Sequence, residues 1–576
     1  MYRVAIIVSV VLTLFAVVGY TQKKELDEEA YRSWRRVDDY QLSDHGEWIK
    51  YRYVFYDNDS ANAFARNTYY FYEMKTGRTR ILRDIDSPVF FAKGDWIAFY
   101  KVKRNGGGDG ERVAYRLKDG YEIAIPADAE LNDSYPQIAY RRENRLIVLN
   151  VMRRDSVVLH GVFQYYLYGK KWNVIYTSKE KQGHVLRNRI VENGVEDVIY
   201  VDKNKSLESF YFYERVGEGS FFVGANINCK EKLDYYYFSL ADKKASKVLS
   251  AEQMEQFHVD RYSMRLLDGE KQLLYSQQEG KVVKSDVQDE KDESFQLELW
   301  SWNDLVIPSE QAKSGLRRSR YTPTLYLLDL DSKECHKMCG ENHSELYIAE
   351  GEHPVFAYEK DERPYLRQRD WVHDQRFDLY LVDLRNGKHE LLEKELTQAV
   401  HWSPKGDYLL YFDNKSRSWV IVNPRSMENV LSDIIPYPLY DEWYDRPNPP
   451  APYGVAGWTR DGRNAIIYDR FDIWVINLSE IEKSYCWTKN EGRGNNTVLR
   501  LVDPGRNGVR IDLTQDQQVV TFDRKSKSTG LSKLSSQGRL TPLVQENVAF
   551  SVLQKTKDGR VMLCMKQSYQ DRKSVV

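Results

Sequence analysis

Cysteine is scarce: five residues in 576 (Cys229, Cys335, Cys339, Cys486 and Cys564), an odd number. A chain of this length buries enough core without staples, so a disulfide framework is not expected. Cys335-His336 and Cys339 imitate half a zinc site. No second close pair follows, tetrahedral zinc takes four ligands, and so no metal is expected. Charge of one sign is missing too, because Lys plus Arg number 84 and Asp plus Glu 85. With no global field to attract a polyanion, nucleic acid is excluded as a partner. Long apolar runs are absent beyond the first residues, so no later segment is read as a membrane span. Arg104–Glu111 is glycine-rich but lacks the Lys-Ser/Thr pair of a phosphate loop and reads as a hairpin tip. Asp57–Ser60 lacks the glycine and terminal Glu of a calcium loop. No cofactor is expected.

What the chain has in quantity is short β-type runs. Tyr alone occurs 42 times and aromatics make up 13% of residues. His401–Asn414 (HWSPKGDYLLYFDN) sets a turn at Ser403–Gly406 before a buried-strand run. Asp378–Leu392 (DLYLVDLRNGKHELL) alternates and then turns at Arg385–Gly387 like a hairpin. Both pieces recur. A turn glycine followed by an apolar run stands at Gly46, Gly94, Gly269, Gly462 and Gly559. The hairpin returns from Thr68, Tyr235, Thr324 and Asp472. Units that cannot bury their own faces must stack on neighbours. The expectation is an all-β chain, a β-propeller of about seven or eight four-stranded blades.

Punctuation completes the plan. Arg3 followed by the apolar Val4–Val18 reads as a secretory signal over residues 1–21, cut near Thr21. Glu25–Arg36 reads as a helix, with acids in its first turn and arginines in its last, inside an N-terminal segment 22–40. Residues 41–576 then form the propeller, its last blade open to being incomplete. Ala251–His258 reads as one helical turn. Lys281–Phe295 and Ser309–Tyr321 read as exposed insertions. Asp441–Gly454 (DEWYDRPNPPAPYG) is the least ordinary segment. Pro447, Pro449, Pro450 and Pro452 stiffen it, and stiff surfaces lose little entropy on binding. Asp441, Glu442, Asp445, Arg446 and Tyr453 are therefore the candidate binding residues. A rigid cover over a blade edge is the alternative for the same segment.

HWSPKGDYLLYF resembles the WD40-like repeat of TolB-type and peptidase propellers. Tyr440–Leu478 resembles the N-terminal propeller of secreted prolyl-oligopeptidase-family (S9) serine peptidases of Bacteroidetes-type bacteria. The resemblance implies an exported chain, in the periplasm or on the surface of a Gram-negative cell, whose ring admits peptides to a hydrolase domain. That domain's Gly-x-Ser-x-Gly elbow is not found here: Ser528-Thr529-Gly530 lacks the preceding glycine, and Ser403 belongs to a repeat turn. No His-Glu-x-x-His helix is found either. No catalytic residue is assigned. The expectation is the substrate-gating part of such a peptidase, in truncated form, with peptides as partners. A free-standing periplasmic propeller binding a protein, peptide or glycan is the alternative.

Overall fold

The computed structural model describes residues 35–567, apart from 56–66, 103–109, 181–182, 203–206, 216–219, 228–232, 240–243, 261–262, 268–271, 278–300, 302–323, 340–343, 350–353, 370, 373, 503–509 and 557–558. The signal, the two polar insertions and the turn at Gly269 lie outside the described residues, as do nearly all of the glycine-rich tip and the expected helix. Arg35 and Arg36, the end of that helix, instead open the first strand, Arg35–Leu42. Its residues pair with Trp48–Phe55 from Arg35 opposite Phe55 onward. Bonding to a neighbouring strand, with Val37 and Leu42 buried, outweighs the charge pattern that suits a helix dipole.

The protein is a β-propeller of four-stranded antiparallel blades. The four-stranded sheets are meanders, as in Arg35–Leu42, Trp48–Phe55, Tyr69–Glu73 and Thr79–Leu82, and the five-stranded sheet departs from this by pairing Arg510–Ile511 in parallel with Val455–Thr459. Among the described residues there are nine four-stranded sheets, one five-stranded and one two-stranded. That is more sheets than the seven or eight blades expected. The two sequence pieces take fixed places in a blade. The turn-glycine piece joins the first strand to the second, as Gly406 does between Val400–Trp402 and Leu409–Asp413. The hairpin piece supplies the third and fourth strands, as Phe377–Asp383 and Lys388–Leu396 do.

Cores lie between blades rather than within them. Leu410, Phe412, Trp419 and Ile421 of one sheet interlock with Trp458, Ile467, Trp474 and Ile476 of the next. The following interface joins Ile466, Ile473 and Val475 to Leu499, Val519 and Leu534. Each such buried side chain stabilises the stack by about 1.5–3 kcal/mol. The ends of the array also meet. Leu42 and Ile49 of the first sheet share a core with Leu563 of the last, and the Leu42 backbone N–H donates to Gln554 Oε1 at 2.7 Å. The expected helical turn is present as Ala251–Gln256, with Ser250 and Gln253 forming a reciprocal capping box. No helix among the described residues is long and apolar enough to cross a membrane.

Candidate functional site

The proline-rich segment is a loop closed at its neck. Asp441 N–H donates to Ala451 O at 2.9 Å and Tyr453 N–H to Leu439 O at 2.8 Å. Tyr440 and Pro452 form an isolated bridge between them. Inside the loop, Tyr444 donates to Asn448 Oδ1 at 2.8 Å, and Asn448 Nδ2 reaches Asp374 Oδ1 at 2.7 Å. The loop is thus fastened to a distant part of the chain as well as to itself. Proline fixes φ, so these few bonds suffice to hold its shape.

Beneath it lies a cleft of about 480 Å³ lined by Asp441, Trp443, Pro452, Tyr453, Arg470 and Arg500, with Val498, Ala451 and Arg524 completing the wall. Trp443 is 69% exposed. The Arg470 guanidinium lies 4.4 Å from its ring centre and that of Arg524 5.1 Å. Two cations on one indole hold the ring by cation–π attraction while leaving its remaining surface open.

The floor is built from the tight turn Asp469-Arg470-Phe471-Asp472, between the strands Asn464–Tyr468 and Ile473–Asn477. Asp469 and Asp472 are fully buried. Asp469 Oδ1 accepts the N–H groups of Phe471 and Asp472, both at 2.6 Å. Its Oδ2 accepts Trp474 Nε1 at 3.0 Å and pairs with Arg493 at 3.3 Å. Asp472 accepts Thr488 Oγ1 at 2.7 Å and the N–H groups of Gly492 and Arg493 at 2.9 and 3.0 Å. Burial nevertheless pushes the Asp472 carboxyl above the usual carboxylate range, and the charge on Asp469 adds to this. Gly492 is needed there: a Cβ on it would lie 2.8 Å from Phe471 O and from Thr497 O.

Arg500 forms the back wall. Its guanidinium donates to Leu499 O at 2.8 Å and to Asp469 O and Arg470 O at 3.1 and 3.4 Å. It stacks 4.5 Å from the Tyr468 ring. Burial draws its pKa down from the ordinary guanidinium value, yet arginine stays charged in proteins. Neither Arg500 nor Arg524 has a carboxylate partner among the described residues. Burial also holds the Tyr453 phenol above its ordinary value. The cleft therefore combines fixed cations, an open indole and a hydroxyl, which suits binding of an anionic group beside an apolar one.

The five sequence candidates separate. Asp441 and Tyr453 line the cleft. Glu442 sits at its rim, 3.9 Å from Arg470, and its N–H donates to the Tyr453 hydroxyl at 3.4 Å. Asp445 and Arg446 are exposed and outside the lining, with Arg446 6.0 Å from the Tyr444 ring. Sequence reasoning missed Trp443 and the three arginines. Arg500 and Arg524 belong to the next sheet, and only the blade-to-blade stacking brings them under the loop. The Asp-Arg-Phe-Asp turn was the available signal.

The other motifs stay apart. Cys335 is exposed and Cys339 buried, both as free thiols. Cys339 Sγ accepts the Leu325 N–H at 3.3 Å, while Cys335 Sγ contacts the Tyr275 hydroxyl at 3.2 Å. Among the described residues no three His, Cys, Asp or Glu side chains gather as metal ligands. Ser528 is buried and hydrogen-bonded to Ser526 and Gln545 at 2.8 and 3.0 Å.

No protein-family pattern matches the chain. No curated protein matches it either. Among solved structures, the β-propeller domain of the Trilobed protease from Pyrococcus furiosus is similar over 63% of this chain and 99% of its own, at 10% identity and TM-score 0.24. The acylaminoacyl peptidase of Pyrococcus horikoshii is similar over 69% of this chain and 59% of its own, at 12% identity and TM-score 0.23. For TolB from Acinetobacter baumannii the shares are 59% and 80%, at 12% identity and TM-score 0.20. At this identity and superposition none of them carries an argument about activity.

Proposed function

We propose that this propeller recognises polypeptide and does not cut it, serving as the substrate-gating part of an exported peptidase system. The observation that supports this reading is Trp443, largely exposed yet clamped by Arg470 and Arg524 on a proline-stiffened loop. Interfaces draw most of their energy from a few such aromatic and arginine anchors, and a pre-ordered loop loses little freedom when a ligand arrives.

Panning a peptide display library on the purified chain tests it. Enriched peptides should lose on the order of tenfold or more in affinity when Trp443→Ala is introduced. A library that yields no binder, or binders indifferent to Trp443, overturns the reading. A fluorophosphonate probe should leave the chain unlabelled, since acyl-transfer chemistry needs an activated nucleophile and its base.

The meeting of the first and last sheets around Leu42, Ile49 and Leu563 favours a second form of the same reading. In it the propeller works as a free-standing module in the periplasm. Recovery of the chain alone from a periplasmic fraction, with no peptidase polypeptide bound, would support that form over the gating one.

A further inference from the structure

Charge is distributed unevenly over the groups that face the cleft. Arg470, Arg500 and Arg524 line it, against one lining carboxylate, Asp441. Asp441 Oδ1 already accepts the Trp443 N–H at 3.1 Å. Glu442 reaches only Arg470, at 3.9 Å. Of the two buried acids below, Asp469 pairs with Arg493 at 3.3 Å and Asp472 accepts from Thr488, Gly492 and Arg493, and the charge of both acts on Arg500. Arg500 spends its donors on backbone carbonyls, so it contributes potential rather than a free fork. Arg524 is different. Its guanidinium contacts only rings, those of Trp443 at 5.1 Å and Phe471 at 5.9 Å, and has no carboxylate partner among the described residues.

We propose that the cleft is a carboxylate-binding site, in which Arg524 and Arg470 take one carboxylate of a bound polypeptide while its neighbouring apolar side chain packs on Trp443. This rests on the polypeptide-recognition reading and deepens it by naming what the site selects. A guanidinium presents a planar fork of donors that matches a carboxylate. Asp441 in the lining and Glu442 at the rim oppose a ligand with charge repeated along its length, so a single anionic group is favoured over a polyphosphate backbone. The carboxylate is either a chain end or an acidic side chain, and both offer the same two oxygens.

Three unlabelled, N-acetylated peptides separate the possibilities: Gly-Ala-Ala-Phe with a free carboxylate, the same peptide as an amide, and Gly-Ala-Glu-Phe amide. Affinities for the full chain are measured by thermophoresis at low and high salt. The free acid, the glutamate peptide, or both should bind about tenfold more tightly than the neutral amide, as expected for a charge-assisted hydrogen-bond pair. Which of the two gains identifies the source of the carboxylate. The preference should vanish in Arg524→Gln, survive in part in Arg524→Lys, and shrink at high salt. Near-ultraviolet circular dichroism shows that each variant remains folded. Equal binding of all three peptides, or a preference that persists in Arg524→Gln combined with Arg470→Gln, overturns the proposal. If all three peptides bind equally but depend on Trp443, the carboxylate site falls and polypeptide recognition stands. If none binds, the carboxylate site falls, and the display library decides whether polypeptide recognition stands.

Discussion

The hydroxyl of Ser403 accepts the backbone N–H of Tyr408 at 3.0 Å, and Ser403 N–H in turn donates to Tyr408 O at 2.8 Å. The same device recurs between Ser43 and Trp48, Thr459 and Asn464, and Thr556 and Val561. In each case the glycine three residues after the hydroxyl returns its N–H to that residue's carbonyl. The hydroxyls are buried, so water cannot replace them. Ser403→Ala should cost about 1–2 kcal/mol, the penalty of leaving a buried donor unpaired. Gly406, at φ +73°, should tolerate alanine no better, since a left-handed residue with a Cβ costs about 1–2 kcal/mol. Urea midpoints of the two variants measure both effects.

This device explains why so much of the fold was legible. A turn that combines a hydroxyl, a glycine and an apolar run leaves a mark in the sequence each time it is used. The blade count was not legible, because loop length sets it and strand pattern does not. The first strand was misread as the end of a helix. Arg35 and Arg36 look like a helix terminus until the partner strand Trp48–Phe55 is known.

Beneath the cleft, Asp469 gathers two backbone N–H groups, the Trp474 indole and the Arg493 guanidinium. Asp469→Asn keeps one accepting oxygen but turns an NH2 group toward two donors and strips Arg493 of its counter-charge. Breaking a buried pair in this way costs about 3–5 kcal/mol. The expected outcome is a folded but weakened chain whose peptide binding is also reduced, because the turn that carries Arg470 has lost its clasp. Thermal unfolding and peptide affinity, measured on the same preparation, check the two parts.

Half of the candidate site was visible beforehand for a physical reason. Proline and aromatic residues announce a stiff loop in the sequence itself, which placed Asp441 and Tyr453. Arg500 and Arg524 lie in ordinary strand and turn contexts, and their convergence on Trp443 is a property of how one sheet stacks on the next. Nothing local records that.

The thiols should divide by burial. Cys335 is exposed, whereas burial raises the thiols of Cys339, Cys486 and Cys564, the last to about 11. Only the thiolate reacts with alkylating reagents. Among the four described thiols, Cys335 should therefore label first in native protein at neutral pH, ahead of Cys339, Cys486 and Cys564. The Cys564 rate should climb about tenfold per pH unit until the pH nears that value. Peptide mapping after timed iodoacetamide treatment follows each site. Rapid native labelling of Cys564 at pH 7 would contradict its placement in the last interface.

His401 should give the region around its own sheet a dependence on acid. Burial, and then the nearby Lys360 ammonium, hold its imidazole below the usual histidine value. Lys360 is itself packed over the rings of Tyr347 and Phe377, at 5.2 and 4.7 Å. The sign follows from the lowered folded pKa. Above about pH 6.5 both folded and unfolded histidine are neutral, and its contribution is constant. As the pH falls below that, the unfolded chain takes up a proton that the folded site resists, so stability declines until the pH passes through the lowered folded value. One such group can contribute a slope of at most about 1.4 kcal/mol per pH unit. Replacing it by Phe, which cannot titrate and can still pack beside Trp419, should flatten the loss between pH 6.5 and 5. Urea unfolding at half-unit pH steps reads the difference, and an unchanged slope in His401→Phe would show that another group carries the acid sensitivity.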